Sequence, residues 1–293
     1  MPETEQPGCE QITSQVVLKS IQNKETWSKQ LEGLMSTEGG KVSSFLDTAI
    51  ATYRLFEQAA LQPEPKQISS EDAKRVKAIW IISAPGTYFT RNKKDRYEDK
   101  EWTFWNDRSR INHAFEIGRK LAEIKAGRKI KGNTPQDLEL LKEFGPLLIY
   151  NGRPDENDAI TEAVKTPWLR IPEGLGYPQD KTYIINPFTE RFNNKDYNLL
   201  DQIYSFKFPA DIQINPGDEI GIVAHAPQAV RVLYSLSAQK EKFPQGVTAR
   251  MLLLPTPKGG IPEYPIQELR GIIYYRFIAS PPAVGDKPFP FKV

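Results

Sequence analysis

The stretch that decides the fold is Val76-Lys77-Ala78-Ile79-Trp80-Ile81-Ile82, which runs directly into Ser83-Ala84-Pro85-Gly86. A short apolar run that ends in small residues and a Pro-Gly pair is typical of a buried strand entering a turn. Nothing earlier in the chain has this pattern. The sequence therefore predicts that a central sheet begins near Val76.

Four later segments repeat this pattern of an apolar run followed by a polar or proline-containing turn. They are residues 146–150 before Asn151-Gly152, 182–185 before Asn186-Pro187, 219–224 before His225, and 249–254 before Pro255. Helical patterns lie between them, at residues 109–126, from Thr134 onward, and at 155–164, 195–206, 227–239 and 265–278. Strands that alternate with helices favour a parallel sheet with right-handed crossovers. We therefore predict an α/β protein.

The region before the first strand has a different character. We expect residues 1–10 to be a disordered tail and residues 11–65 to be an N-terminal helical extension. Apolar residues recur at helical spacing from 11 to 35 and again from 42 to 61, with Gly39-Gly40 predicted to stop the first run. Residues 70–293 then form the α/β domain, and no low-complexity linker divides the chain. We expect the extension to dock on this domain and to carry little chemistry of its own.

Composition excludes several classes of function. A formal net charge of +2 is too small to indicate nucleic acid or a membrane surface as the partner. The single Cys9 cannot form an internal disulfide, and two histidines without a spaced acid cluster argue against a metal site. We expect no membrane span, because no run of about 18 apolar residues occurs. The acidic N-terminus lacks the features of a signal peptide, so a cytoplasmic location is the expectation. The sequence indicates no oligomeric state.

The turns that follow the strands are the best place to look for chemistry. In an open parallel sheet, ligands bind beyond the carboxyl ends of the strands, close to a switch in strand order. The helices that follow those strands point their amino ends, with free N–H groups, at the same edge. In the first turn, Ser83 offers a hydroxyl and Gly86 allows close approach of the backbone to a ligand. The alternative is a plain strand-ending turn, because neither GxGxxG nor a Walker sequence is present.

The second and third turns add polar candidates. Asn151, Gly152 and Glu156 lead into a helix, where a carboxylate could bind a ribose hydroxyl or act as a base, or could simply lie on the surface beside a helix cap. In the third turn the candidates are Asn186, Thr189 and Glu190. The neighbouring aromatic residues could stack on a planar ligand or cover the core.

One histidine and two arginines complete the candidates. His225 follows a strand and precedes a helix, and histidine side chains titrate near neutral pH, which suits acid–base work. A hydrogen-bonded structural histidine is the alternative, and we treat His113, inside a helix, as structural. Arg231 could meet an anionic group one turn into the helix after His225. Arg110 is a second candidate anion contact, with a surface salt bridge as the competing explanation.

Seven segments and residue pairs between about residues 76 and 278 can be considered together, in chain order. The set comprises residues 79–86, Arg110 with Ala114, 148–152 with Glu156, 176–178, 186–194, 223–225 with Arg231, and 268–275. Their order and spacing resemble the ElyC/SanA/YdcF family, a group of small Rossmann-like domains whose biochemical role is poorly defined. Asn151-Gly152 stands where that family usually has paired glycines, and residues 189–193 follow the family's Asn-Thr-x-Glu-Asn turn only loosely.

The resemblance implies a Rossmann-like three-layer sandwich with a mostly parallel central sheet. It also implies binding of a nucleotide-like or S-adenosylmethionine-type small molecule at the carboxyl ends of the strands. In that hypothesis Glu156 and His225 would transfer protons, while Arg110 and Arg231 would hold anionic groups. One alternative is a hydrolase or transferase acting on a phosphorylated or glycosyl substrate. The other is a non-catalytic interaction protein that uses residues 11–61 and the Tyr274-Tyr275 pair as its interface.

Overall fold

The computed structural model describes residues 11–62, 68–83, 100–130, 134–152, 157, 177–185, 199–256 and 263–293, with the backbone alone for 100–108. This part of the chain contains one sheet of six parallel strands in the order β3-β2-β1-β4-β5-β6. The strands are β1 (Val76–Ile81), β2 (Leu147–Tyr150), β3 (Thr182–Ile184), β4 (Glu219–His225), β5 (Thr248–Leu254) and β6 (Phe291–Lys292). The predicted α/β class is confirmed, and the five predicted strands are all present. The two-residue β6 was not predicted.

Helices cover both faces of the sheet, which gives three layers. They are α1 (Ser14–Lys24), α2 (Ser28–Ala60), α3 (Ser70–Arg75), α4 (Lys100–Ala126), α5 (Pro135–Phe144), α6 (Leu199–Ser205), α7 (Ala226–Ala238) and α8 (Tyr264–Ile273), which continues as a π-helical turn (Tyr274–Ile278). In β1, Ala78 and Trp80 face the layer of α1, α2, α6, α7 and α8, whereas Ile79 and Ile81 face α3, α4 and α5. Within the residues described, no helix combines the length and the apolar character needed to cross a membrane.

The helical extension is present, but its break lies elsewhere than predicted. Gly39-Gly40 does not end a helix, because α2 runs from Ser28 to Ala60 with only a kink at Glu38, where φ is −129° and ψ is 20°. The chain instead turns between α1 and α2. Leu31 and Val42, on either side of the kink, are buried in the same apolar cluster. Burial of such side chains outweighs the cost of about 1 kcal/mol that each glycine imposes on a helix.

A buried ion-pair cluster holds the amino edge of the sheet together. Glu219 begins β4 and is fully buried. Its carboxylate accepts hydrogen bonds from Arg250 Nε in β5 at 2.5 Å and from Lys292 Nζ in β6 at 2.6 Å. Arg250 also pairs with Asp72 of α3 at 3.2 Å. The cluster therefore adds side-chain contacts to the backbone pairing that attaches the short β6 to β5.

Replacing Glu219 by Gln tests this cluster. The variant keeps the shape of the side chain but leaves the largely buried Arg250 without its main counter-charge, so the free energy of unfolding should fall by about 3 kcal/mol. The matched control is Glu139→Gln, which breaks an exposed pair with Lys142 and should change stability by less than about 0.5 kcal/mol. Denaturant unfolding measures both. Equal stability of the two variants would contradict the account.

Candidate functional site

The strand order places a switch in chain winding between β1 and β4. From β1 the chain proceeds to β2 and β3 on one side, and β4, β5 and β6 extend the sheet on the other. This is the classic order of dinucleotide-binding folds, in which ligands bind where the winding reverses. The two strands end side by side, since Ile81 is in register with Val223 and the Ile82 amide donates to the Val223 carbonyl at 3.0 Å. We call the region beyond these ends the carboxyl-edge site.

Buried amide side chains fix the strand ends at this site. Gln202 of α6 makes two hydrogen bonds with the backbone of Ser83, accepting from its N–H at 3.0 Å and donating to its carbonyl at 2.9 Å. Gln228, in the first turn of α7, donates to the same carbonyl at 3.3 Å. These contacts hold the end of β1 between α6 and α7. Ser83 itself is fully buried.

Asn151, at the end of β2, belongs to the same framework. Its Oδ1 accepts from Trp80 Nε1 at 2.7 Å, and its Nδ2 donates to the Gln202 carbonyl at 2.6 Å and to Ser205 Oγ at 3.1 Å. The side chain thus joins β1, β2 and α6. These contacts account for a buried asparagine here without a ligand.

His225 ends β4 and is 6 % exposed. Its Nδ1 lies 2.9 Å from the Pro255 carbonyl, which follows β5. A carbonyl oxygen only accepts, so Nδ1 carries the proton and Nε2 is the unprotonated ring nitrogen. Burial, assisted by the positive charge of Arg110, lowers the pKa of His225 to about 3, with the Pro255 hydrogen bond acting in the opposite direction. The expectation that this residue titrates near neutrality is therefore wrong, because it rested on the behaviour of a solvated histidine.

Two arginines and a glutamate form the charged part of the site. Arg110 of α4 is fully buried, which rules out the surface salt bridge considered as its alternative role. Arg231 of α7 pairs with Glu268 of α8, with Nε 2.7 Å from Oε2. Burial raises the pKa of Glu268 above its ordinary value, while Arg231 and Arg110 oppose that shift. Helices that follow β1, β4 and β5 therefore bring their charges to one place.

A polar groove of about 620 Å³ opens beside Arg231. Its walls are formed by the turn between α1 and α2 and by α8 with the π-helical turn that follows it. The aromatic rings of Trp27, Tyr274 and Tyr275 line it, together with the side-chain amides of Gln30 and Gln267. The Trp27 and Tyr274 rings pack against each other with centroids 5.4 Å apart. The groove thus connects the helical extension to a residue of the carboxyl-edge site.

The predicted site residues divide into two groups. The described candidates are Ser83 shortly after β1, Asn151 and Gly152 directly after β2, Arg110 in α4, His225 at the last position of β4, and Arg231 in α7. Gly86, Glu156, Asn186, Thr189 and Glu190 lie outside the described residues, as do the tail at 1–10 and most of the predicted helix at 155–164. The neighbour of Glu156, Asn157, is fully buried and donates to the Ile185 carbonyl at 3.1 Å, at the end of β3.

Sequence reasoning missed Gln202, Gln228 and Glu268 as site residues. Gln228 lies one turn after His225, so its place at the start of that helix was a usable signal. Glu268 lies in the segment 268–275 that belongs to the family resemblance, but the sequence assigns no role to it or to Gln202, because each reaches the site from a helix whose packing the sequence does not specify.

None of the protein-family models, curated proteins or solved structures compared with this chain matches it.

The low pKa of His225 predicts how stability depends on pH. The pKa of His225 is about 3 in the folded protein and about 6.5 in an unfolded chain. Between these two pH values, the unfolded state protonates the imidazole and the folded state does not. The contribution of His225 is therefore complete above pH 6.5 and is lost as pH falls toward 3. Between pH 7 and pH 5, wild type should lose about 2 kcal/mol more unfolding free energy than His225→Gln.

Burial also lowers the pKa of His113, so His113→Gln must be measured in parallel to separate the two histidines. Denaturant unfolding at both pH values gives the free energies. Titration of the His225 ring, followed by NMR, provides the direct readout. A midpoint near pH 6.5 would contradict the buried, neutral imidazole.

Proposed function

We propose that this protein binds a nucleotide-like small molecule through an anionic group at the carboxyl-edge site. The observation that carries the proposal is the placement of Arg110 and Arg231. They come from α4 and α7, the helices on the two sides of the winding switch, and both guanidinium groups interact electrostatically with Glu268. A planar guanidinium fork matches the geometry of phosphate and carboxylate groups.

The backbone at the carboxyl-edge site also favours an anionic ligand. Helix α7 has 13 residues and begins at Ala226, directly after the end of β4. Its amino end directs free N–H groups and the positive end of the helix dipole toward the same edge. Together with the nearby arginines, this end of the helix is suited to an anion.

The groove beside Arg231 suits the remainder of such a molecule. Its volume of about 620 Å³ falls within the range of small-molecule sites, which is ~300–1,000 Å³. Rings such as Trp27 and Tyr275 can stack on a base, and the amides of Gln30 and Gln267 can bond to its edge. A nucleotide ranks ahead of S-adenosylmethionine, because the sulfonium of the latter would add a positive charge beside two arginines.

Proton transfer by His225 is less favoured than ligand binding. A histidine with a pKa of about 3 is a weak base at neutral pH, so its Nε2 acts best as a hydrogen-bond acceptor. The hydrolase or transferase hypothesis therefore rests on Glu156, outside the described residues. The interaction-protein hypothesis uses the same surface, because Trp27 of the extension, Tyr274 and Tyr275 line the groove that we assign to the small molecule.

Calorimetry tests the proposal with a panel of AMP, ATP, S-adenosylmethionine and adenosine, the last of which lacks an anionic group. We expect a phosphate-bearing member to bind and adenosine to bind at least about tenfold more weakly, since a hydrogen bond to a charged group contributes roughly 1.5–3 kcal/mol. Absence of binding by every member to folded wild-type protein would sink the proposal. If S-adenosylmethionine were the only member to bind, the ligand would be of the S-adenosylmethionine type and not a nucleotide.

Variants test whether the affinity for the phosphate-bearing ligand depends on Arg110 and Arg231. Arg231→Lys keeps the charge but loses the planar fork, and Arg110→Gln removes the charge, so each should weaken binding of the phosphate-bearing ligand by about tenfold. The control is Arg119→Gln on the same helix as Arg110, where the side chain pairs with Glu123 at 2.8 Å. Affinity should be unchanged in the control. Thermal melting establishes that each variant is folded, and equal losses in all three would contradict the assignment.

A further inference from the structure

The last turns of α2 reach the loop that holds His225. Glu57 is 8 % exposed, and both of its carboxylate oxygens lie 3.2 Å from the Thr256 backbone N–H. The Thr256 hydroxyl donates to Glu57 Oε2 at 2.8 Å, and Tyr53 Oη lies 3.3 Å from the same hydroxyl. Thr256 directly follows Pro255, whose carbonyl accepts the proton of His225 Nδ1.

The Pro255 carbonyl and the Thr256 N–H belong to one peptide group. That group is planar and rigid, so fixing its N–H also fixes the direction of its C=O. A carboxylate that accepts from the N–H polarises the peptide and strengthens the carbonyl as an acceptor, because hydrogen bonds in series reinforce one another in a buried environment. Glu57 and His225 are therefore linked through a single peptide unit, although they are far apart in the sequence.

We infer that Glu57 is a positioning residue of the carboxyl-edge site. Through the peptide between Pro255 and Thr256, it holds His225 as the Nδ1–H tautomer. That a ligand binds beside His225 rests on the proposed function, whereas the effect of Glu57 on the tautomer does not. The N-terminal extension therefore contributes to the site, contrary to the expectation that it carries little chemistry.

The tautomer of His225 can be measured without any ligand. The chain has two histidines, so a His113→Gln background leaves one imidazole, whose ring nitrogens are observed by ¹⁵N NMR at pH 7. We expect the Nδ1–H form to dominate in this background. Adding Glu57→Ala should raise the ratio of Nε2–H to Nδ1–H by about tenfold, the size expected for loss of one supporting hydrogen bond.

Further variants separate positioning from general destabilisation. Thr256→Val removes the hydroxyl bond to Glu57 but keeps the backbone one, so it should shift the tautomer ratio in the same direction by a smaller factor. Thr256→Ser retains the hydroxyl and should match the background. The matched control is Leu55→Ala, which alters an exposed side chain on the same helix and should leave the ratio unchanged.

A tautomer ratio that is the same in Glu57→Ala, Thr256→Val and Leu55→Ala would overturn the inference. If Glu57→Ala does not fold, the comparison of Thr256→Val with Thr256→Ser decides alone. Because no ligand is present, this outcome is independent of the calorimetry. The inference about Glu57 can be wrong while nucleotide binding is confirmed. Nucleotide binding can also be disproved while Glu57 is found to set the tautomer.

Discussion

The hydrogen bonds between the parallel strands β1 and β4 are the interaction on which the rest of the molecule depends. These neighbours are separated in sequence by both β2 and β3, so the chain winds away from β1 in one direction and away from β4 in the other. The helices that follow them consequently lie on opposite faces of the sheet. Gly221 permits close packing at the centre of β4, because a Cβ there would lie only 2.8 Å from Leu252 Cδ1 and 3.0 Å from Ile79 Cγ1.

The chemistry of the carboxyl-edge site follows from the way the chain winds in opposite directions from β1 and from β4. Arg110 and Arg231 belong to the helices that follow β1 and β4, and both interact electrostatically with Glu268 of the helix after β5. Burial at these strand ends removes His225 from water and keeps its ring neutral. The site therefore combines the positive charge of the arginines with an uncharged imidazole. The extension completes this arrangement, since α2 shares the apolar core of the sheet and supports the loop that carries Pro255.

The sequence predicted those features that depend on neighbouring residues. Each buried strand was marked by an apolar run before a turn, and the helix predicted from Thr134 onward is α5, which Thr134 caps by accepting from the Asp137 N–H at 3.1 Å. Features that depend on distant contacts were not predictable. The order of the strands, the attachment of β6 by Glu219 and the approach of Glu57 to Thr256 all depend on residues brought together only by the fold. The position of His225 was predicted correctly, but its pKa depends on burial and on Arg110, which no local pattern encodes.

The most direct test of the carboxyl-edge site is to map backbone amide shifts by NMR while AMP is added to the uniformly ¹⁵N-labelled protein. The account predicts that the largest shifts occur at the amides of Ser83, Ala226 and Gln228, at the adjoining ends of β1 and β4. Shifts confined to the amino edge, around Asp218 and Glu219, would contradict it.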